Sequence, residues 1–596
     1  MADTSSYELD GALAALVGKG VLEVQGEPLA AEPGAYRFVQ AMVRDVAYGT
    51  LARADRRARH LAAADHLEHE VGEGGGAPAG IVARHLLDAL AAGRPGDPDR
   101  GRLVDRARGL LVMAAARSET LGSADEALRS TLAALDLEPV GLEATQLRER
   151  AARVAMLAGK HSLGEGLAAQ AVAGYRERDD VEDLVRALAL HARLALRLGR
   201  AREAGELAGQ GHAMLREREV DPERALPLAC ELLRTMASAA RISGDRASQQ
   251  RYTLEALSLA EELQDPAVLH RALTSLSTML LDSGSRSGHQ AVTERCLVKA
   301  REAHLLEPLS DSLINLTSET YAQDLAGASE RAEESVSVAR QLGNSDATEV
   351  ALTNACFTWW LNGDWDRLLA ETGEWFEDRE VTASSGSLWL SRAQVQLARG
   401  EPVDVPDIPP SEDPYDQQTA AVSLALRAAW RGEVADAAAA LEREQRSLQA
   451  VELEDFEMIW APGVELQLHA GNVDAASRLL QLAEPVAGRR GRPLTRALLP
   501  RLRGLVAAAR GEDPEADLRE AVAALEAYGA RYLLARTRLD LGRWLVARDR
   551  TGEADPLLAE ARAVFVDLRA LPSVAEVDAL ERPRAAGRPA PTPSAR

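Results

Sequence analysis

The chain has few aromatic residues and no long apolar run, and each shortage excludes a class of protein. Aromatic side chains make up only 4% of the 596 residues, while Ala, Leu, Arg and Glu are abundant, a mixture typical of long, closely packed helices. No stretch approaches eighteen uninterrupted apolar residues, and the opening MADTSSYELDGALAAL has no basic segment ahead of an apolar core. We therefore expect a cytoplasmic protein that makes no contact with a membrane.

Cysteines are also scarce, and basic residues are outnumbered by acidic ones. Cys230, Cys296 and Cys356 are far apart and show no CxxC or metal-like spacing, so they are typical of buried thiols in a reducing cytosol. The 69 Lys and Arg residues stand against 92 Asp and Glu, which gives a net charge of -23. Binding nucleic acid over a broad surface needs clustered cations, so the charge argues against a nucleic-acid partner.

Motifs for catalysis are missing. Ser, His and Asp occur without a GxSxG elbow, and no pair of carboxylates stands out. There is no GxxxxGK[ST] phosphate loop: GALAALVGKG, residues 11–20, has the wrong glycine spacing and Gly20 where Ser or Thr should meet the metal. The sequence therefore predicts no catalytic residue, no cofactor and no enzyme.

What the sequence does contain is a recurring helix pair from about residue 103 onward. An apolar helical stretch ends at a Gly, which tolerates positive φ, and a short polar turn then favours a new helix start. An Ala five residues after the Gly leaves room for close packing, and successive glycines are about forty residues apart. The clearest copies begin at Gly122, Gly199, Gly327, Gly432, Gly471 and Gly511, and weaker ones at Gly159, Gly244, Gly284, Gly363, Gly400 and Gly552.

These turns, such as GSADEA (Gly122 to Ala127) and GRAREA (Gly199 to Ala204), resemble the tetratricopeptide (TPR) family, whose turn reads GDYDEA. The resemblance covers about residues 103 to 575. It implies an all-α fold, an α-solenoid of about twelve TPR-like helix pairs with a long concave face.

The first 70 residues do not follow this repeat. Leu9, Leu13 and Leu16 have helical spacing, VLEVQ (21–25) and YRFV (36–39) alternate like half-buried strands, and AMVRDVAYGTL resumes helical spacing. A helix that leads into a hairpin and a further helix is the skeleton of a winged helix. We therefore predict a small winged-helix-like α+β block ahead of the solenoid.

YRF, RDVAY, a basic RR pair and His60 resemble the segment that follows the ATPase module in bacterial STAND-type signal-transduction ATPases. That family includes LuxR-type and cyclase-associated regulators, and its winged helix is also followed by TPR arrays. The resemblance implies a sensor region that lacks the ATPase module, because the phosphate loop is absent. Gln40 stands where the family pattern has a His that can help to sense the nucleotide, so that role does not carry over.

Composition changes divide the chain into six predicted segments. They are a winged-helix-like block (1–70), a joint and connecting helix (71–102), the first half of the repeats (103–400), a Pro- and acid-rich loop (401–416), the second half of the repeats (417–575) and a disordered tail (576–596). Proline breaks the helical pattern in the loop, and the tail has no periodicity.

A basic run in the N-terminal block is the first group of candidate binding residues. Arg53, Arg56, Arg57 and His60 are predicted to contact another domain or nucleotide phosphates, with a solvated helix face as the alternative. His66, His69 and His85 lie nearby in sequence, but the HExxH spacing is absent and zinc needs three or four converging ligands. We expect no metal site among these histidines.

A tryptophan cluster is the second group. Rigid aromatic rings bind partners or ligands well, so Trp359, Trp360, Trp375 and Trp389 are predicted partner- or ligand-binding residues, with packing between helices as the alternative. Trp365, in GDWDRL, occupies the TPR aromatic turn position and should pack between helices. Trp359 and Trp360 point about 100° apart on a helix, so we expect one of them to be exposed.

Together these features predict a non-catalytic scaffold or sensor in a signal-transduction or transcription-regulatory system. Its partner would be a protein, such as an ATPase module, or a small inducer. The alternative is the C-terminal regulatory part of an ATP-dependent regulator or nucleotide cyclase whose catalytic module is missing or encoded separately. A DNA-binding regulator that acts through the winged helix is a third hypothesis.

Overall fold

A computed structural model describes residues 6–24, 36–70, 79–178, 181–218, 221–321, 323–377, 379–447, 456–490 and 492–586. The regular secondary structure of these residues is helical apart from one two-stranded sheet, so the all-α fold class is confirmed. No helix within them is both long and apolar enough to span a bilayer. The chain forms two compact units, residues 1–151 and 152–596, and the finer predicted segment boundaries stay predictions.

The first unit begins with the helix, two strands and helix expected from the sequence. Strands β1 (Leu22–Val24) and β2 (Tyr36–Phe38) pair antiparallel, with Leu22 opposite Phe38. Of the predicted joint, residues 71–78 lie outside the described residues. The helices of this unit are α1 (Ser6–Gly18), α2 (Ala41–Gly49), α3 (Arg53–Glu70), α4 (Ala79–Ala92), α5 (Arg100–Thr120), α6 (Ala124–Leu135) and the first part of α7 (Gly141–Leu157).

The second unit is a run of antiparallel helix pairs. Its helices after α7 are α8 (His161–Arg176), α9 (Val181–Arg197), α10 (Ala201–Glu217), α11 (Pro222–Ile242), α12 (Arg246–Leu263), α13 (Pro266–Asp282), α14 (Arg286–Glu302), α15 (Leu306–Thr320), α16 (Leu325–Leu342), α17 (Ser345–Asn362), α18 (Trp365–Phe376), α19 (Gly386–Arg399), α20 (Pro414–Trp430), α21 (Val434–Ser447), α22 (Phe456–His469), α23 (Val473–Arg490), α24 (Pro493–Arg510), α25 (Glu515–Tyr528), α26 (Arg531–Val546), α27 (Thr551–Asp567) and α28 (Leu571–Ala586). The start of the predicted tail is therefore helical, because α28 extends to Ala586, and residues 587–596 lie outside the described residues.

From α8 to α28 every helix packs against its neighbour in the chain, and the first helix of a pair also packs against the first helix of the next pair. This is the packing of a TPR-type solenoid. The pattern in α9 explains it: Leu184, Leu188 and Leu194 recur at helical spacing and are all buried. Ala204 of α10, five residues after the turn glycine Gly199, is fully buried as predicted.

Most of the predicted turn glycines do make the turns, and Gly199, for example, has φ +73°. The turns predicted at Gly327 and Gly552 are wrong, because both residues lie inside helices, α16 and α27. The turn before α16 is made at Asp324, whose carboxylate caps the helix by accepting from the Gly327 amide, and the turn before α27 contains Asp549 with φ +59°. Gly327, in the first turn of α16, lies five residues before Ala332, the spacing expected of a turn glycine, which explains the error there.

The predicted loop takes the place of a helix. After α19, residues 401–413 run without regular secondary structure, where a second helix would complete the pair. Val403 and Val405 are buried, and Arg392 holds Asp404 in an ion pair at 3.0 Å. The segment is thus packed like a structural element, and the first helices of the following pairs are the even-numbered ones.

Successive superhelical turns of the second unit, each made of several helix pairs, also touch. Glu412 donates its backbone amide to the carbonyl of Gly199 at 2.6 Å, and His161 Nε2 lies 3.1 Å from the Asp346 carboxylate. Helix α17 packs against α26, and α19 against α28. We call these the inter-turn contacts, since they join helix pairs that are not neighbours in the array.

Candidate ligand-binding site

The tryptophan cluster is buried. Trp359 is fully buried and Trp360 is 7% exposed, so the expectation that one of the two would be exposed is wrong. The reason is that α17 is covered on several sides at once: α15, α16, α18 and α19 surround it, and α26 covers it through an inter-turn contact. In its second half, residues 351–362, α17 therefore has no exposed residue.

The other rings pack mainly against one another. Trp365 stacks on Trp360 with ring centroids 5.1 Å apart, and its indole donates to the Trp360 carbonyl. Trp389 stacks on Phe376 at 3.9 Å, and the Arg379 guanidinium covers the Trp375 ring at 3.8 Å. Packing between helices, which the sequence analysis gave as the alternative to ligand binding, accounts for the positions of these rings.

Trp360 also faces a cavity of about 340 Å³ in the second unit. The cavity is lined by residues of α17, α19, α20, α21, α22, α24, α26 and α28. Its apolar wall includes Trp360, Leu397, Leu426, Leu498 and Tyr532. A volume of this size is in the range of small-molecule sites, which are concave and mostly apolar with a few placed polar groups.

A buried ion triad forms one polar part of the cavity. Arg501 is 1% exposed and lies between two carboxylates, with Nη1 2.6 Å from Glu465 and Nη2 3.2 Å from Asp540. Burial raises the pKa of Glu465, but the Arg501 guanidinium outweighs burial and holds this pKa below its ordinary value. Arg501 therefore keeps Glu465 in its charged form and bridges the two carboxylates, and Arg543 Nη1 lies 3.6 Å from the other Asp540 oxygen.

A second ion cluster lies on the α26 and α28 side of the cavity. Arg536 donates to Glu576 at 2.7 Å and to the Ser573 hydroxyl at 3.2 Å, and Arg543 reaches the other Glu576 oxygen at 2.6 Å. Three guanidiniums and three carboxylates thus balance across the two clusters. The cavity offers a ligand fixed dipoles and hydrogen-bonding groups, without an excess of either charge.

Besides Arg501, whose Nε has no hydrogen-bond partner among the described residues, Gln394 supplies a polar group that is not satisfied. It lines the cavity from α19 and is 8% exposed, and its side-chain Oε1 accepts no hydrogen bond from the described residues. A buried acceptor without a donor costs about 1–3 kcal/mol. A molecule in the cavity with a suitably placed N–H or O–H would remove that cost.

Sequence reasoning found Trp360 but missed the rest of the cavity. Tyr532, Arg501 and Gln394 belong to helices far apart in the chain, and nothing in their local patterns connects them. The available signal was Arg501, a charged residue within the apolar pattern Leu494, Leu498 and Leu502 of its helix.

The basic run makes contacts within its own unit. Arg53 donates to the Ala91 carbonyl at 3.1 Å, and Arg57 pairs with Asp99 at 2.5 Å and with Asp97 at 3.6 Å. These arginines therefore join α3 to the C-terminal end of α4 and the loop after it. A phosphate contact by them stays a prediction.

The remaining members of the run meet Tyr48. Arg56 donates to the Leu51 carbonyl at 2.9 Å and lies 5.0 Å from the centre of the Tyr48 ring. His60 Nε2 is 2.8 Å from the Tyr48 hydroxyl, and His60 Nδ1 is 2.9 Å from His85 Nδ1. The structure thus brings two of the noted histidines together.

A separate group of side chains that are able to bind a metal lies in the second unit. Glu165, His191 and Glu203 have their donor atoms within 4.8 Å of one another. Arg200, however, is within 3.4 Å of Glu165 and 2.9 Å of Glu203. The guanidinium already neutralises these carboxylates, so this group is an ion cluster rather than a metal site.

The cysteines are buried free thiols, as predicted. Burial raises the pKa of Cys230 to about 11 and also raises the pKa of Cys296 and of Cys356. A nucleophilic cysteine needs a lowered pKa and access to solvent. These thiols have neither.

Comparison with known proteins gives similarity of fold alone. No protein-family model matches the chain, and no curated protein sequence does. Among solved structures, it is similar to the APC/C hetero-tetramer Cut9–Hcn1 (14% identity over 80% of this chain and 94% of that chain, TM-score 0.40). It is similar to a STAND protein with a tetratricopeptide repeat sensor from Pyrococcus horikoshii (13% over 73% and 60%, TM-score 0.33) and to yeast Tom70 (14% over 81% and 97%, TM-score 0.26).

Proposed function

We propose that this chain is a non-catalytic TPR-type sensor that binds a small molecule in the cavity and passes the event to a protein partner. Stacked helix pairs present an extended surface for a partner without needing catalytic groups. The cavity adds a defined place for an inducer. Of the partners expected from the sequence, the geometry thus favours a small molecule at this site and a protein elsewhere on the array.

The observation that carries the proposal is the buried Gln394 oxygen, which accepts no hydrogen bond from the described residues, in a cavity whose wall includes aromatic rings. Trp360 and Tyr532, 5.3 Å apart between ring centroids, provide an apolar wall, and Gln394 provides an acceptor. The two ion clusters are internally balanced. The expected ligand is therefore small, largely apolar and uncharged, with at least one hydrogen-bond donor.

The position of the cavity explains how binding could be transmitted. Its walls come from helices on both sides of the α17–α26 and α19–α28 inter-turn contacts. A ligand that binds between them favours one spacing of the turns over another, and a ligand shifts an equilibrium only through such a difference in affinity. The partner surface changes with that spacing.

Fluorescence titration with anilinonaphthalene sulfonate, a dye that reports apolar cavities, tests the site. Ala429 lines the cavity, so Ala429→Phe should fill it and weaken dye binding about tenfold or more. Ala440→Phe, which places the same ring at an exposed position of α21, is the matched control and should bind like the wild type. Equal dye binding by both variants would show that the cavity is not the site. If Ala429→Phe does not fold by circular dichroism, Ala461→Leu serves the same purpose.

A second candidate function, the regulatory part of an ATP-dependent regulator, is favoured by an apolar surface on the N-terminal block. Met42 is 76% exposed and Val46 is 64% exposed, and their i,i+4 spacing places them on one face of α2, with exposed Val39 just before the helix. Contiguous exposed apolar residues mark interaction sites. An ATPase module in a separate chain is the partner that the sequence resemblance implies.

Co-purification tests this candidate. A neighbouring gene that encodes a GxxxxGK[ST] loop should yield a protein that co-purifies with the full chain, and Met42→Glu with Val46→Glu should abolish the complex. Val140→Glu, at an exposed apolar position outside the block, is the control. Retention of the complex by the double variant would count against this surface.

A further inference from the structure

Three potential metal ligands converge between α3 and α4. His60 lies on α3, and His85 and Asp88 lie on α4, where their i,i+3 spacing places both on one helix face. His60 Nδ1 is 2.9 Å from His85 Nδ1 and 3.7 Å from Asp88 Oδ2. All three donor atoms lie within 4.8 Å of one another.

These separations fit a tetrahedral zinc ion. Zinc binds histidine nitrogen at about 2.0–2.1 Å and carboxylate oxygen at about 2.0–2.2 Å, and a tetrahedral angle then places neighbouring ligand atoms about 3.3 Å apart. The observed 2.9 Å and 3.7 Å lie on either side of that value. The donor atoms of His85 and Asp88 also lie within 4.8 Å of each other.

The outer nitrogen of His60 has the partner that a metal-binding histidine needs. When Nδ1 binds metal, Nε2 carries the proton, and a hydrogen bond from that N–H fixes the orientation of the ring. His60 Nε2 lies 2.8 Å from the Tyr48 hydroxyl oxygen, which can accept it. Tyr48, on α2, is thus a positioning residue for the His60 ring.

The donor set selects the kind of metal. Two imidazoles and one carboxylate suit zinc and similar divalent transition metals, whereas magnesium and calcium prefer oxygen ligands alone. Three protein ligands leave a fourth position for water. The Asp88 side chain is 47% exposed, so the open position faces solvent and the ion has a path of entry.

We propose that His60, His85 and Asp88 bind one zinc ion that links α3 to α4. The sequence predicted no metal site here because Asp88 was not considered with the histidines, and the helix packing that joins His60 to the α4 pair is not visible in the spacing. This proposal is independent of the proposed function, since it concerns the first unit and the cavity lies in the second.

Isothermal titration of the metal-free full chain with zinc chloride tests the proposal. The wild type should bind one zinc ion per chain, and cobalt in its place should give the visible absorption of a tetrahedral site. His85→Ala and the nearly isosteric Asp88→Asn should each weaken zinc binding about 100-fold. Tyr48→Phe should weaken it about tenfold, because a residue that orients a ligand contributes less to the affinity than a direct metal ligand.

His69→Ala is the matched control, because His69 is an exposed histidine on the same helix, α3. It should bind zinc like the wild type. Absence of zinc binding by the wild type, or equal binding by the wild type, His85→Ala and Asp88→Asn, would overturn the proposal. A loss in His69→Ala as large as in His85→Ala would do the same, since it would show binding by surface histidines in general.

Discussion

The Arg399 side chain of α19 donates from Nε to the backbone carbonyl of Leu568, 169 residues further along the chain, at 3.1 Å. Arg399 is buried and also pairs with Asp366 at 2.8 Å. We predict that Arg399→Ala lowers the free energy of unfolding by about 2–3 kcal/mol, because hydrogen bonds from a charged donor are worth about 1.5–3 kcal/mol. Urea denaturation followed by circular dichroism measures the change.

Arg301→Ala is the control for this prediction. Arg301 pairs with Glu334 at 2.6 Å, but both side chains are more than 40% exposed, and exposed ion pairs are worth about 0–1 kcal/mol. Equal losses in the two variants would show that Arg399 contributes no more than an ordinary surface ion pair.

Gly199 provides a second test of the inter-turn contacts. It has φ +73°, and an added Cβ would lie 2.8 Å from the Ser411 Cα atom, so Gly199→Ala combines backbone strain with a clash against the main chain. We expect a loss of about 3 kcal/mol in the free energy of unfolding. Gly511→Ala is the matched control, because Gly511 has φ +79° and open space around it; strain alone should cost about 1 kcal/mol there. A loss of about 1 kcal/mol in both would contradict close contact at Ser411.

The buried ion triad predicts an unequal response to charge removal. Arg501→Ala leaves Glu465 without its ion-pair partner and leaves Asp540 with only the longer contact to Arg543 at 3.6 Å, and breaking a buried pair costs about 3–5 kcal/mol. Arg519→Ala, which removes an arginine that is 45% exposed and pairs with Glu515, should cost about 1 kcal/mol or less. Chemical denaturation of both variants at neutral pH tests the difference, and similar midpoints would exclude a structural role for the triad.

Asp416 predicts a pH dependence of stability. Burial, together with the nearby Asp413 carboxylate, raises the pKa of Asp416 to about 7, above the value of about 3.9 for an unfolded chain. The folded state therefore binds the proton more tightly, and the stabilisation from Asp416 is complete below pH 4 and lost as the pH rises through 7.

Asp416→Asn should remove this dependence. The variant is expected to match the wild type near pH 4 and to exceed it by about 4 kcal/mol at pH 8. Thermal unfolding of both proteins from pH 4 to pH 8 provides the measurement, and parallel curves over the whole range would contradict the assignment.

The helix pairs could be predicted from the sequence because the information for them is local. Gly363 marks its turn, and Leu184 and Leu188 mark a buried face, within spans of a few residues. Trp359 shows the limit of such local information. Its neighbours on α17 predict a helix with one buried face, but whether the opposite face is also covered depends on α26, and that depends on the pitch of the whole array.

The cavity was beyond prediction for the same reason. Trp360 and Tyr532 lie 5.3 Å apart between ring centroids, although 171 residues come between them in the sequence. Small rotations between successive helix pairs add up over that distance, and only their sum decides which residues meet. The His60 and Asp88 pair was missed across a shorter span, because the spacing of residues in the sequence does not show which side chains of two packed helices face each other.

The contact between the Glu412 amide and the Gly199 carbonyl also bears on how the protein melts. Repeat arrays whose units touch only their neighbours lose structure piecemeal, each unit with its own stability. Here a helix pair that frays also releases a helix pair more than two hundred residues away. The second unit should therefore unfold in one concerted transition, and amide protons along it should exchange with solvent at similar rates.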